Sequence, residues 1–246
     1  MTAPTFASAL QAVAAVDGWM TDAQARRLWD EASLLVGPAR IVEIGSFQGR
    51  STIVLASAAA EGVEVIAIDP HAGNDRGPQE FEGFEDAAAA DHERFLANLS
   101  GAGVADRVRH LRMFSAAALD EVDGEIDLLY VDGAHRYGPA LDDVRRWGAR
   151  VRDGGTLLVH DSFSSVGVTG ALLTALLRSE RFTYEARDGS MAVYRCVAPA
   201  SPMANAGRQL AQLPWFARNV VIKALILARL GRLTRLLGHR TANWPY

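Results

Sequence analysis

Cysteine is almost absent: Cys196 is the only one in the chain, so no intrachain disulfide is available and a reducing compartment is the natural expectation. Lysine is equally scarce. Lys223 stands alone, every other cation being arginine, which removes lysine from any catalytic scheme elsewhere. No stretch long enough to span a bilayer is free of charge. The opening MTAPTFASALQAVAAVDGWM lacks the basic n-region and continuous apolar core of a signal peptide, so a cytoplasmic protein is expected. The formal charge of −4 and a pI near 5.9 argue against nucleic acid as a partner, which needs a strongly basic surface. Acids are missing from one region altogether. After Asp188 there is none, while Arg195, Arg208, Arg218, Lys223, Arg229, Arg232, Arg235 and Arg240 all follow.

What is present fits one α/β domain with decorated ends. The 246 residues are 49% apolar, enough for a core between two helical layers. Residues 1–36 read as a helical segment, with Thr21-Asp22 as an N-cap before AQARRLWDEASLL. Short β-branched runs then alternate with helical stretches. ARIVEIG, VEVIAID, VRHLRM, IDLLYVDG and GGTLLVHDS are five expected strands, with STIVLASAAA and PALDDVRRWGARV among the crossovers. Such alternation implies a doubly wound, Rossmann-like parallel sheet with helices on both faces. FTYEA and MAVYRCV, joined through Asp188-Gly189, add a β-hairpin that brings the sheet to seven strands and closes the domain 37–198.

Open sheets of this kind bind ligands at the carboxyl ends of their strands, and the polar and glycine residues cluster there. The first strand runs into Glu43-Ile44-Gly45-Ser46-Phe47-Gln48-Gly49-Arg50-Ser51, an E-x-G-x-x-x-G pattern rather than a dinucleotide G-x-G-x-x-G. Gly45 would let the backbone pass under a ligand, and Gly49 would allow tight packing where the next helix starts. The amides there, with Ser46, Phe47 and Ser51, form a candidate carboxylate site, and Glu43 a candidate ammonium acceptor. Asp69, about two dozen residues on from Gly45, is placed to accept from ribose hydroxyls. Met113, Phe114 and Ser115 would flank an adenine. Singly, a glycine loop is often a mere turn and a strand-end Asp a helix cap. Their order and spacing favour the site.

VEIGSFQGRS is similar to the first motif of catechol-type and sugar-type O-methyltransferases, and VDGAHRYGPALDDVRRWGARVRDGGTLLVHDSF resembles their fourth and fifth strands. The resemblance covers residues 38 to 197 and is to class I S-adenosylmethionine-dependent enzymes, whose sheet also ends in a hairpin. It implies S-adenosyl-L-methionine as donor at Glu43, Gly45, Ser46, Phe47, Gly49, Ser51, Asp69, Phe114, Ser115 and Asp132. It further implies a divalent cation, Mg2+ or another, on Asp132 and Asp161. The position after Asp161 is Asn or an acid in the relatives and Ser162 here, which leaves the third ligand open. His135 matches the residue that takes the acceptor's proton, a lysine in the catechol type and a histidine in the sugar type. The chemistry agrees: a hydroxyl is a weak acid, a hard cation would stabilise its alkoxide, and an imidazole of pKa about 6.5 suits proton collection. Asp132 as a plain turn acid and His135 as a helix cap remain open, with His160 read as a structural partner and His71 as facing donor or acceptor.

The expected acceptor is a sugar, glycoside or polysaccharide precursor. A catechol-like phenol or other small natural product is the alternative, and a non-transferring donor-binding or hydroxylase-like member of the fold is a third reading. Residues 70–98 form a lid-like insertion in which Phe81 and Phe84 would cover an acceptor. Residues 199–246 form a basic extension in which LPWFARNVVIKALILARLGRLTRLLGHR reads as one long helix. Being apolar on most sides, that helix is expected to pack on its own domain or make a homodimer, ahead of lying on an anionic membrane.

Overall fold

The structure, a computed structural model, describes residues 4–72 and 85–240. Its helices are α1 (Phe6–Ala12), α2 (Asp22–Ser33), α3 (Arg50–Ala58), α4 (Glu85–Gly101), α5 (Ser115–Ala118), α6 (Tyr137–Arg146), α7 (Val166–Ala175), α8 (Pro202–Leu210) and α9 (Leu213–Leu227). The strands are β1 (Ala39–Ile44), β2 (Val63–Ile68), β3 (Val108–Leu111), β4 (Ile126–Val131), β5 (Val151–Val159), β6 (Thr183–Asp188) and β7 (Met191–Arg195).

They form one seven-stranded sheet in the order β3-β2-β1-β4-β5-β7-β6. The first five strands run parallel, and the closing hairpin inserts β7 antiparallel against β5. Because both faces are covered, the strands read as continuous apolar runs instead of alternating ones. Val42, Ile44, Ile66, Ile68, Leu129 and Val131 pack on one side with Trp147 and Phe163. Ile41, Val65, Leu128 and Tyr130 pack on the other with Leu28, Ile53 and Phe95.

Strand order reverses between β1 and β4, which opens a crevice at their carboxyl ends. Backbone bonding continues one residue past each strand there. Gly45 N–H donates to Ile68 O at 2.8 Å, Asp132 N–H to Ile44 O at 2.8 Å and His160 N–H to Val131 O at 2.9 Å. The strand tips are therefore held flush, and the residues after them converge on one opening.

The N-terminal segment is tied to the hairpin. Thr21 caps α2 reciprocally with Gln24, whose amide also donates to Ser190 Oγ at 3.2 Å. Arg27 pairs with Asp188 at 2.7 Å, and buried Glu31 takes Arg195 at 3.2 Å and the Thr156 hydroxyl at 2.9 Å. In the insertion, α4 is the β2–β3 crossover, with Phe95 and Leu99 buried in the core. Phe81 and Phe84 lie outside the described residues.

The tail departs from the single helix its composition implies. α9 ends at Leu227, Arg229 takes a left-handed turn with φ of 59°, and Gly231–Leu237 is a 3₁₀ segment folded back against it. The Arg218 guanidinium holds that return by donating to Leu237 O at 2.7 Å. A left-handed residue followed by Leu-Gly breaks the helix where periodicity alone extends it.

Candidate active site

Gly45 has φ of 90° and lies against the backbone of Asp132, where a Cβ would overlap the Asp132 carbonyl oxygen. The first glycine is thus fixed by the approach of two strand tips. Gly49, with φ of 88°, starts α3 against Leu99 and Phe95, leaving no room for a side chain. Between them Phe47 is also left-handed, with φ of 45°. Strain of this kind concentrates where backbone is aimed at a ligand. Ser46 Oγ is buried with no hydrogen-bond partner, an orphaned polar group in the candidate donor loop.

Glu43 lies at the end of β1, just before that loop. It is fully buried and accepts from the hydroxyls of Ser51 and Thr52. The acid thereby anchors the first turn of α3. Burial lifts its carboxyl to about 8, against the opposing pull of the two hydroxyls.

Asp69, one residue past β2, accepts from Phe47 N–H at 2.8 Å and from His71 N–H at 2.7 Å. It therefore joins the donor loop to the β2 tip and stays partly exposed to the crevice. His71 itself is buried in left-handed backbone, its ring 5.0 Å from that of His92 and 5.1 Å from that of His110. Burial lowers its pKa, and its Nε2 lies 3.3 Å from that of His110. Phe114 is exposed at the start of α5, and Ser115 Oγ donates to Asp143 Oδ1 at 2.5 Å.

Asp143 and Trp19 are two residues that the sequence reading missed. Asp143 is buried under Gly133, with burial raising its carboxyl to about 6 while the Ser115 hydroxyl opposes. An acid on the inward stripe Ala140, Val144, Trp147 of α6 was the available signal. Trp19 stacks near Phe47 with centroids 5.3 Å apart, bringing the N-terminal segment to the donor loop. Nothing local in the sequence marks it.

At the tips of β4 and β5, Asp132, His135 and Asp161 bring one ligand atom each within 4.8 Å of one another, the one such cluster among the described residues. His135 Nε2 lies 2.5 Å from Asp161 Oδ2. Asp132 accepts from the Tyr130 hydroxyl at 3.0 Å and pairs with His160 Nδ1 at 3.0 Å. Burial works against a charged His160, but the carboxylates of Asp132 and Asp161 outweigh it and raise its pKa to about 10. Burial likewise opposes ionisation of Asp161, and His160 with His135 holds it well below the usual carboxylate range. Asp161 is left-handed, with φ of 54°, and its Oδ1 is buried without a hydrogen-bond partner. That orphaned oxygen and the oxygen-rich donor set fit a hard divalent cation. Ser162 follows Asp161 at the β5 tip. It is fully buried and its hydroxyl donates to Val159 O at 2.7 Å, so that oxygen is engaged with the strand backbone.

Residues 42–162 match a protein family described as a methyltransferase domain. Solved structures superpose over most of the chain. Cofactor-bound Rv0187 from MTB is 19% identical with a TM-score of 0.57, covering 78% of this chain and 89% of its own. TomG from Streptomyces achromogenes, an O-methyltransferase of tomaymycin synthesis in complex with SAM, is 21% identical at 0.54, covering 79% and 89%. An O-methyltransferase from Bacillus cereus in complex with SAH is 16% identical at 0.57, covering 78% and 90%. The protein y4gI of Sinorhizobium fredii is 30% identical over 129 residues, 51% of this chain, and the chain spans 13% of that protein's length. The matched segment is thus similar to a methyltransferase domain, and the chain shares its fold with O-methyltransferases solved in complex with SAM and SAH.

Proposed function

We propose that the protein transfers the methyl group of S-adenosylmethionine to a hydroxyl oxygen of a sugar, glycoside or related saccharide precursor. The observation that carries this reading is the convergence of Asp132, His135 and Asp161 beside the glycine loop. In an in-line displacement from a sulfonium, the protein mainly positions the two substrates and removes the hydroxyl proton. The donor would lie along Gly45–Gly49, with Asp69 toward its ribose and Phe114 toward its base. His135 takes the proton, and Asp161 orients the imidazole and stabilises the imidazolium that forms. Asp132 and Asp161 would hold Mg2+ or a similar cation, which when bound supplies charge stabilisation for the alkoxide. The 2.5 Å His135–Asp161 pair also favours a second reading, a histidine–carboxylate base working without metal. TomG's involvement in tomaymycin synthesis supports small natural products as the alternative acceptor class.

Calorimetric titration with S-adenosylhomocysteine, with NAD as control, tests the donor; no binding to the former sinks the reading. Turnover on a panel of sugar and phenol acceptors is then compared with and without EDTA. Loss of turnover restored by Mg2+ supports the cation, and retention selects the metal-free base. His135→Ala should keep donor affinity and lower kcat by about a hundredfold or more. Near-normal turnover would remove His135 from the chemistry.

A further inference from the structure

α8 and α9 are built inside out. Pro202–Leu227 is 26 residues long, and its most apolar 18-residue window has mean hydropathy 1.3, yet only 11% of that window is buried. The side chains it turns toward the domain include its polar ones. Asn205 accepts from Tyr184 N–H at 2.8 Å and donates to Phe182 O at 3.1 Å. Gln209 donates to Leu176 O at 3.2 Å, Asn219 to Phe163 O at 3.3 Å and Lys223 to Ser164 O at 2.9 Å. Those bonds fasten the helices along the domain surface, so the segment lies across the molecule and does not project from it.

The outward side is apolar. Ala217, Val221, Ala224, Leu227 and Ala228 recur at helical spacing and are exposed, with no charge among them. Leu230, just before the returning segment, and Leu233 and Leu236 within it are exposed as well, Leu227 being 71% and Leu236 84% exposed. Arg229, Arg232, Arg235 and Arg240 are exposed around it, and no acid follows Asp188.

We infer that this face docks on a lipid bilayer carrying anionic headgroups, with the leucines at the level of the acyl boundary and the arginines among the headgroups. Charge complementarity selects that occupant. An exposed apolar face followed in the chain by Arg229, Arg232 and Arg235 matches an anionic interface. A second copy brought symmetrically onto the same stripe would set these arginines against their own equivalents with no carboxylate from the tail to pair them.

The test is flotation of the full chain with vesicles. Phosphatidylcholine containing phosphatidylglycerol should carry the protein, phosphatidylcholine alone should not, and added salt should release it. Leu227→Asp with Leu236→Asp should cut partitioning about a hundredfold, since each leucine leaves the apolar layer. Arg229→Gln and Arg232→Gln should each cost about fivefold. Both sets lie outside the packed core, and unchanged thermal melts would show intact folding. Failure of the wild-type chain to float with anionic vesicles overturns the inference. So does flotation that the leucine variants retain, or a solution dimer that those variants dissociate.

Discussion

Glu43 accepts two hydroxyl hydrogen bonds in a site from which water is excluded, and its protonation belongs to folding more than to ligand contact. An unfolded glutamate gives up its proton near 4.5 and the folded one near 8. Between those values the unfolded chain binds fewer protons, so this group's stabilisation falls as pH rises and is fully lost above about 8. Glu43→Gln has no proton to lose and can still bond both hydroxyls. Its Tm should therefore gain on the wild-type value as pH rises through that window. Parallel Tm curves would show that Glu43 is ionised in the folded protein throughout. Asp69 is a different case, because its two backbone bonds tie Phe47 to His71. Asp69→Ala leaves both N–H groups without that acceptor, at about 1–3 kcal/mol each. Its affinity for S-adenosylhomocysteine should fall at least tenfold while any Mg2+ dependence is unchanged; unaltered affinity would remove Asp69 from the donor site. At this scale the sequence showed which residues sit at strand tips, since each ends an apolar run. It did not show which way they turn. The burial of Glu43 and the inward hydroxyl of Ser162 depend on contacts across strands, which no local pattern carries.

Elements meet through glycine at the other side of the crevice. A Cβ on Gly167, at the start of α7, would overlap His135 O and come within 2.7 Å of Tyr137 N. The loop carrying His135 is thus positioned by the close approach of α7, and Ser165 Oγ donates to the same His135 carbonyl at 3.3 Å. Gly167→Ala should push α6 and α7 apart and move the imidazole by a fraction of an ångström to an ångström. The expected cost is roughly 1–3 kcal/mol of stability from overpacking and a fall in kcat of up to about a hundredfold. Donor affinity, set on β1 and β2, should hold; a joint loss of donor binding would mean that the whole sheet edge had shifted. The five parallel strands and the hairpin were readable because buried parallel strands are apolar end to end and Asp188-Gly189 marks the turn. The placing of β7 between β5 and β6 was not, because strand order is decided by pairing and leaves no trace in any one segment.

Across the whole molecule, the C-terminal helices and the candidate site share a wall. Asn219 donates to Phe163 O and Lys223 to Ser164 O, and the N–H groups of Ser164 and Ser165 donate back to Asp161 O. Asp161 and Phe163 are both left-handed, so this short turn is strained and depends on outside bonds to keep its shape. The tail's composition pointed to an apolar, basic helix but not to its anchors, because amide side chains on an apolar helix look like interruptions until the carbonyls they meet are known. Asn219→Ala isolates the coupling. It leaves a buried Phe163 carbonyl without its amide, at about 1–3 kcal/mol, which in a chain of this size lowers Tm by several degrees, at roughly 2–4 °C per kcal/mol. The turn then relaxes, Asp161 loses its fixed bearing on His135, and kcat should drop while affinity for S-adenosylhomocysteine stays level. A lowered Tm with unchanged kcat would mean that Asp161 is held from the β5 side alone, and that α9 is fastened to the domain without supporting its chemistry.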